Sequence, residues 1–200
     1  MKLVSASASP YARKVRVLLH ETDQTGSVEE VHVATSPMDT PNEVRAANPV
    51  GKIPALVRPD GPALHDSRVI TRFLDARAGG GLYPEARIWE VLTLESMADA
   101  IMDAAILITY EGRVRPREHQ SAGWMDAQWA KISAALEAIN SRWMSHLAGP
   151  LDASHIAIGC ALGYLDLRHD ARGWRSGAQA LDDWFAVFAE RESMKATAPE

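Results

Sequence analysis

The sequence predicts an α/β domain followed by an all-α domain within one chain of 200 residues. In the first 78 residues, short apolar stretches bounded by turn formers alternate with amphipathic segments, which is typical of strands and helices in turn. After residue 85, apolar residues recur at helical spacing. The stretch GGGLYPE between them combines glycines with a proline, as linkers do. We therefore expect domains at 1–78 and 86–200, joined by a linker at 79–85.

The first domain is expected to run in the order strand, helix, strand, helix, strand, strand, helix. Pro10 suits the first turn of a helix. Pro59 presets φ and Gly61 permits a positive φ, which indicates a turn between two strands. Glycines from Gly79 onward stop the last helix. The predicted segments are a strand at 2–5, a helix from 10 to the region 22–26, a strand at 28–34, a short helix between Pro41 and Pro49, two strands in PALVRPDGPALHDS, and a helix from Ser67.

The second domain is expected to be helical throughout. One apolar stripe follows a seven-residue rhythm, and its members are Leu94, Ala98, Ile101, Ala105 and Ile108. A second stripe extends from Trp129 to Trp143. The stretch HIAIGCALGYL at 155–165 is apolar nearly all round, which predicts a central buried helix.

Composition limits the classes of protein to consider. The chain is 46% hydrophobic with a formal net charge of −5, so it has enough apolar residues for a core and too little basic charge for a nucleic-acid surface. Cys160 is the single cysteine, which excludes an intrachain disulfide and indicates a reducing compartment. The N-terminus lacks the apolar run of a signal peptide, and no stretch approaches a membrane span. We expect a soluble, cytoplasmic protein that binds neither nucleic acid nor membrane.

The stretch SPYA at 9–12 has two interpretations. Pro10 at a first helical position makes Ser9 an N-cap, which is the common role of a serine there. The stretch also resembles the Cys-Pro-Tyr-Cys active site of glutaredoxins, with serine for the first cysteine and alanine for the second. A helix N-terminus favours an anion, so the Ser9 hydroxyl could stabilise a thiolate brought by a ligand. Ser7 in the same loop remains the alternative hydroxyl for that role.

Two further stretches are individually weak signals. In NPVGKIPAL, the Ile53–Pro54 bond either forms an ordinary turn before a strand or is a cis peptide that leaves the backbone of Ile53 open to a ligand. In HDSRVI, Asp66 and Ser67 lie where a strand gives way to a helix. They are caps by position, but the same geometry suits a ligand carboxylate at Ser67 and an ammonium group at Asp66.

Together and in this order, SPYARKVRVLL, NPVGKIPAL and HDSRVI resemble the glutathione transferase family along nearly the whole chain, most closely its bacterial serine-type members. The resemblance implies a thioredoxin-like N-terminal domain, a helical C-terminal domain and a homodimer. It implies that glutathione is the co-substrate and that its thiolate attacks a small hydrophobic electrophile in a detoxifying reaction.

The resemblance also implies a role for each matching residue. Ser9 would hold the glutathione thiolate. Lys52 would approach the backbone or terminal carboxylate of glutathione, and Ile53, ahead of cis Pro54, would pair with the cysteinyl unit. Ser67 would take the γ-glutamyl carboxylate and Asp66 its amino group. Some relatives carry a basic residue near positions 39 and 40 for the glycine carboxylate, and this chain has Asp39 and Thr40 there.

The family usually opens the buried helix of its second domain with a Ser/Thr-x-x-Asp capping box. The matching stretch here is DASH, at 152–155. Asp152 is a good N-cap. Because His155 replaces the acid, we expect the reciprocal half of the box to be weakened.

The electrophile pocket is expected on the helical domain. Ile106, Tyr110 and Arg113 share one face of its first long helix with Asp99 and Asp103. This face is either solvated or lines the pocket, where Tyr110 could donate to charge developing on the electrophile. The chain has none of the usual metal-binding spacings of histidine and cysteine, so no metal is expected.

Two alternatives to conjugation stay open. One is a glutathione-binding or scaffold protein with little catalysis, which the missing basic residue near Thr40 favours. The other is a glutathione-dependent isomerase or dehalogenase. Disulfide exchange is disfavoured because position 9 offers a hydroxyl and not a thiol.

Overall fold

Four short strands form one mixed sheet in this computed structural model, which describes residues 1–199. The sheet order is β2-β1-β3-β4. β1 (Lys2–Ser5) runs parallel to β2 (Glu29–His32) and antiparallel to β3 (Ala55–Arg58). β3 runs antiparallel to β4 (Gly61–Leu64).

Three helices accompany the sheet: α1 (Pro10–Glu21), α2 (Asn42–Ala47) and α3 (Ser67–Arg77). The order of strands and helices confirms the predicted thioredoxin-like α/β domain. The helices bury their apolar faces because those faces carry residues at helical spacing. The fully buried side chains of this core include Leu3, Val15, Leu18, Leu56, Ile70 and Leu74.

The rest of the described chain is helical, as predicted. Its helices are α4 (Ile88–Val114), α5 (Ala122–Arg142), α6 (Met144–Leu147), α7 (Ala153–His169), α8 (Gln179–Phe188) and α9 (Glu192–Ala196). The first predicted stripe is buried on α4, and the stretch 155–165 is buried on α7, where Cys160 is a small core residue. None of the helices within residues 1–199 is long and apolar enough to cross a membrane.

The chain divides into two compact units. The first comprises residues 1–88 together with the segment that begins at Glu192, and the second comprises residues 89–191. The predicted boundary at 79–85 stays a prediction. The C-terminal segment, which the sequence assigns to the helical domain, groups with the sheet.

Hydrogen bonds to α1 explain this grouping. Arg13 is buried, and its Nη2 donates to the carbonyl of Met194 at 2.9 Å. Ser193 donates to the Glu21 carboxylate at the other end of α1. Partners more than 170 positions apart in the sequence leave no local pattern, so the contact is visible only in the fold.

The expectation for DASH is wrong. Both halves of the capping box are present at the start of α7. Asp152 Oδ1 accepts from the backbone N–H of Ser154 at 3.0 Å, and the Nδ1 of His155 lies 3.3 Å from the backbone nitrogen of Asp152. The His155 ring takes the place of the acidic side chain, and its Nδ1 lies beside both the backbone nitrogen and the Oδ1 of Asp152.

Candidate functional site

The start of α1 confirms Ser9 as an N-cap. A turn closed by the backbone N–H of Ser9 and the carbonyl of Ala6, at 3.0 Å, connects β1 to the helix. Ser9 has the extended backbone of a cap, and its Oγ accepts from the N–H of Ala12 at 3.3 Å. Among residues 1–199, no group accepts a hydrogen bond from the half-buried Ser9 hydroxyl. The oxygen therefore caps the helix while its proton stays free for a ligand.

Two other hydroxyls belong to the same loop. Ser5 ends β1 with its Oγ buried and without a hydrogen-bond partner in the described chain. Ser7 lies in the turn, is half-buried and makes no side-chain hydrogen bond to residues 1–199. Neither caps the helix, so Ser9 alone has its oxygen fixed relative to the helix axis.

The loop before β3 confirms the cis interpretation of the Ile53–Pro54 bond. Asn48 fixes this loop, because its Nδ2 donates to the carbonyl of Lys52 at 2.8 Å. Gly51 has a φ of 72°, a left-handed conformation that favours glycine. Lys52 is exposed, whereas Pro54 is buried.

The start of α3 confirms Asp66 as a second N-cap. Its Oδ1 accepts from the backbone N–H of Arg68 at 3.0 Å, and its Oδ2 lies 2.8 Å from the Arg68 guanidinium. Burial raises the pKa of Asp66, but the hydrogen bonds and charge of Arg68 outweigh it and lower the pKa below its ordinary value. Ser67 is only 3% exposed, and its hydroxyl makes no hydrogen bond to residues 1–199, although its carbonyl accepts from the Thr71 hydroxyl at 2.9 Å.

Sheet topology brings these three segments to one edge. β1 and β3 are antiparallel, so the end of β1 meets the start of β3, and Val4 lies opposite Ala55. β3 and β4 are antiparallel too, so the end of β4 lies beside the start of β3. Three segments therefore lie at that edge of the sheet: the loop to Ser9, the Ile53–Pro54 peptide and the first turn of α3.

Tyr110 and Arg113 belong to the second unit, on the last turns of α4. Tyr110 is half-buried and Arg113 is exposed. Beside them, the hydroxyl of Tyr164 on α7 donates to Thr109 Oγ1 at 3.2 Å. Sequence reasoning missed this contact, because Tyr164 stands in an apolar stretch that predicts only core packing.

His146, Asp152 and His155 come together at the start of α7, with one candidate metal-ligand atom from each within 4.8 Å of the others. Asp152 Oδ2 lies 2.9 Å from His146 Nε2, and Oδ1 lies 2.9 Å from His155 Nδ1. These polar atoms are already hydrogen-bonded, and the positive end of a helix disfavours a cation. The cluster is therefore best explained as a helix cap.

Burial raises the pKa of Asp152, but hydrogen bonds from His155 and Ser154 and the electrostatic influence of both histidines outweigh it and lower the pKa to about 2. The carboxylate is thus ionised over the neutral range. It is fully buried, and its hydrogen bonds compensate the cost of burying its charge.

Known proteins resemble this chain along its whole length. The family model described as the glutathione S-transferase N-terminal domain matches residues 8–77, and that of the C-terminal domain matches residues 122–186. The Escherichia coli K12 protein named "Uncharacterized GST-like protein YibF" is 30% identical over 204 residues, covering 100% of this chain and 98% of the relative.

Solved structures agree with these matches. A glutathione transferase family member from Pseudomonas fluorescens Pf-5 with bound glutathione is 41% identical, with a TM-score of 0.97 over 100% of this chain and 98% of that one. A structure from the same organism with bound S-(propanoic acid)-glutathione is also 41% identical, with a TM-score of 0.92 over 100% of both chains. The chain has the glutathione transferase fold and belongs to the glutathione S-transferase family.

Proposed function

We propose that this chain is a serine-type glutathione transferase that binds glutathione at the edge of the sheet and holds its thiolate at Ser9. The observation that carries the proposal is the state of the Ser9 hydroxyl, whose oxygen caps α1 and whose proton has no acceptor in the described chain. Relatives with bound glutathione and with an S-substituted glutathione support the same reaction class.

The start of α1 is suited to a thiolate. The unpaired N–H groups of a helix N-terminus favour negative charge, and the first turn of α1 contains no acidic residue. A free thiol has a pKa of about 8.5, so a donated hydrogen bond and the helix field that lower it by about one or two units make thiolate abundant at neutral pH. The sulfur then forms a bond to an electrophilic carbon, and the leaving group departs with its electron pair.

The rest of glutathione would be held by the other two segments. The backbone of Ile53, before cis Pro54, would pair with the cysteinyl unit. Ser67 offers a hydroxyl and a backbone N–H at the positive end of α3, which suits the γ-glutamyl carboxylate. Asp66 would take the amino group, and this ammonium would have to share the carboxylate with Arg68.

Lys52 would replace the basic residue that is absent near Thr40. The Thr40 side chain lies against Gly51, where an added Cβ would meet it at 3.3 Å, and Lys52 comes next in the chain. Its exposed ammonium is therefore available to the glycine carboxylate of glutathione. Calorimetry with glutathione tests whether the chain binds glutathione at all, because a pure scaffold would give no binding heat.

The electrophile would bind on the helical domain, with Tyr110 and Arg113 among its contacts. The proposal includes a homodimer, a cytoplasmic location, a detoxifying role and the domain boundaries at 79–85. Isomerisation or dehalogenation would use the same thiolate, and product analysis separates them from conjugation.

The test is conjugation of glutathione to chlorodinitrobenzene. We expect Ser9→Ala to lower kcat/KM by about 100-fold, as loss of a hydrogen bond to a developing charge does. Ser121→Ala is the matched control, because Ser121 Oγ caps α5 by accepting from the Trp124 N–H at the same 3.3 Å. Both variants lose a cap worth about 1 kcal/mol, so only loss of the thiolate contact separates them. Equal turnover in Ser9→Ala and wild type, or a large loss in Ser7→Ala instead, would overturn the assignment.

A further inference from the structure

Two arginines of α1 donate hydrogen bonds to the C-terminal segment of the chain, within the first unit. Arg13 donates from Nη2 to the Met194 carbonyl at 2.9 Å and from Nε to Thr197 Oγ1 at 3.5 Å. Three residues further along the helix, Arg16 Nη1 donates to the Thr197 carbonyl at 3.4 Å. The first half of α1 is therefore attached to residues 194–197.

Arg13 differs from Arg16 in the burial of its charge. Arg16 has a carboxylate partner, because its Nε lies 2.8 Å from Glu30 Oε1. Arg13 is only 7% exposed, and among residues 1–199 it pairs with no carboxylate. A buried cation is costly unless hydrogen bonds replace those it made to water. Arg13 therefore depends on the carbonyl of Met194 and the hydroxyl of Thr197, two residues that are themselves almost fully buried.

The backbone of Arg13 is bonded to the residue that caps α1. Its N–H donates to the Ser9 carbonyl at 2.9 Å, beside the bond from the Ala12 N–H to Ser9 Oγ at 3.3 Å. Helix ends fray, and a helix of 12 residues is marginal without packing. The side chain of Arg13 thus anchors to the buried C-terminal segment the same residue whose backbone closes the first turn at Ser9.

We propose that Arg13, Met194 and Thr197 form a clamp that holds the first turn of α1 in place, so that Arg13 is a positioning residue for the Ser9 hydroxyl. Without the clamp the turn would open more often, and each opening would displace the hydroxyl. Residues 194–197 lie outside the ranges 8–77 and 122–186 that match the family models. The consequence for catalysis rests on the proposed function, whereas the clamp itself does not.

Amide hydrogen exchange in the full-length protein, followed residue by residue by NMR, tests the clamp without any ligand. Arg13→Met removes both donor groups, and we expect the amides at positions 12 and 13 to exchange about tenfold faster. The internal reference is the first bond of α3, from the Ile70 N–H to the Asp66 carbonyl at 3.0 Å, which should keep its wild-type rate. Unchanged rates at positions 12 and 13, or equal acceleration in both helices, would overturn the clamp.

A second variant and a matched control complete this test. Thr197→Val removes one acceptor and should accelerate the same two amides by about threefold, which keeps the clamp testable if Arg13→Met does not fold. Arg77→Met is the control, because Arg77 Nη1 also donates to two uncharged side chains, Gln24 Oε1 at 2.8 Å and Ser27 Oγ at 2.9 Å, but beyond the other end of α1. It should leave both amides at their wild-type rates. Acceleration as large as in Arg13→Met would overturn the clamp.

Turnover shows whether the clamp serves catalysis. In conjugation of glutathione to chlorodinitrobenzene, Arg13→Met should lower kcat/KM about three- to tenfold, because a displaced hydroxyl no longer meets the sulfur. Arg13→Lys should recover part of this loss, since it keeps the charge and one donor, and Arg77→Met should match wild type. Faster exchange in Arg13→Met with unchanged turnover would count against the proposed role of Ser9 and leave the clamp standing.

Discussion

The starts of α1 and α7 use the same device in opposite ways. Ser9 and Asp152 are both N-caps whose side-chain oxygen accepts a backbone N–H. The Ser9 hydroxyl is half-buried and keeps its proton free, whereas Asp152 is fully buried and bonded to two histidines and a serine. A cap whose hydroxyl proton has no acceptor can bind a ligand. A cap whose oxygens are already hydrogen-bonded, which we call saturated, can only stabilise the fold. The difference lies in the neighbours and not in the cap itself.

The largest expected loss of stability follows from removing the Asp152 carboxylate. Asp152→Ala removes the acceptor for Ser154 and leaves the buried polar atoms of His146 and His155 without their partner. We expect the free energy of unfolding to fall by about 3 kcal/mol, since buried charge partners are costly to lose. Urea unfolding followed by circular dichroism measures it. Asp152→Asn keeps the cap and should lose less stability. An Asp152→Ala protein as stable as wild type would show that the cluster does not stabilise the fold.

Protonation of Asp152 should weaken the saturated cap over a defined pH range. The pKa of Asp152 falls from 3.8 to about 2 on folding, so the folded state holds the carboxylate ionised. Its contribution of about 2 kcal/mol is complete above pH 3.8 and is lost as the pH falls through the folded pKa near 2. Unfolding free energies measured over this range should decline more steeply in wild type than in Asp152→Asn. Parallel curves would show that ionised Asp152 does not stabilise the folded state.

Ser67, like Ser9, has a hydroxyl whose hydrogen bonds are left to a ligand. Its hydroxyl is almost buried yet unbonded within the described chain, so the protein itself gains little from it. Ser67→Ala should weaken glutathione binding about tenfold, the loss of one hydrogen bond to a charged group. Calorimetry measures the affinity, and unfolding should stay within about 0.5 kcal/mol of wild type. A stability loss without an affinity loss would make Ser67 a structural residue.

Arg68 should give the smallest effect. Its guanidinium occupies Asp66, and both side chains are about half exposed, so the pair is weak. Arg68→Met frees the carboxylate for the amino group of glutathione, and we expect affinity to rise about two- to threefold. Arg72→Met, on the same helix, is the control. A fall in affinity would show that Arg68 itself contacts the ligand.

Sequence motifs predicted the structural features that involve residues close together in the sequence. Ser9 and Asp66 as caps each come from a short motif that contains its own geometry. The motif around Ile53–Pro54 left both a turn and a cis bond open, and only the resemblance to the family favoured the cis bond that the structure has. The roles of these residues toward glutathione remain proposals.

The same motifs did not predict hydrogen bonds between residues far apart in the sequence. Arg13 bonds to Met194, and Tyr164 on α7 bonds to Thr109 on α4. The replacement of an acid by His155 predicted a weaker capping box, yet both halves are present, because a motif records residue types and not where their side-chain atoms lie. The hydrogen bond from Tyr164 to Thr109 on α4 can be recognised only once the packing of the helices is known.

We expect the free proton of Ser9 to stabilise the thiolate of bound glutathione. This expectation is tested most directly by titrating the thiol of bound glutathione through the ultraviolet absorbance of the thiolate, in wild type, Ser9→Ala and Ser121→Ala. We expect a thiol pKa well below the ordinary value of about 8.5 in wild type and Ser121→Ala, and a thiol pKa about one unit higher in Ser9→Ala. An identical thiol pKa in all three proteins would contradict it.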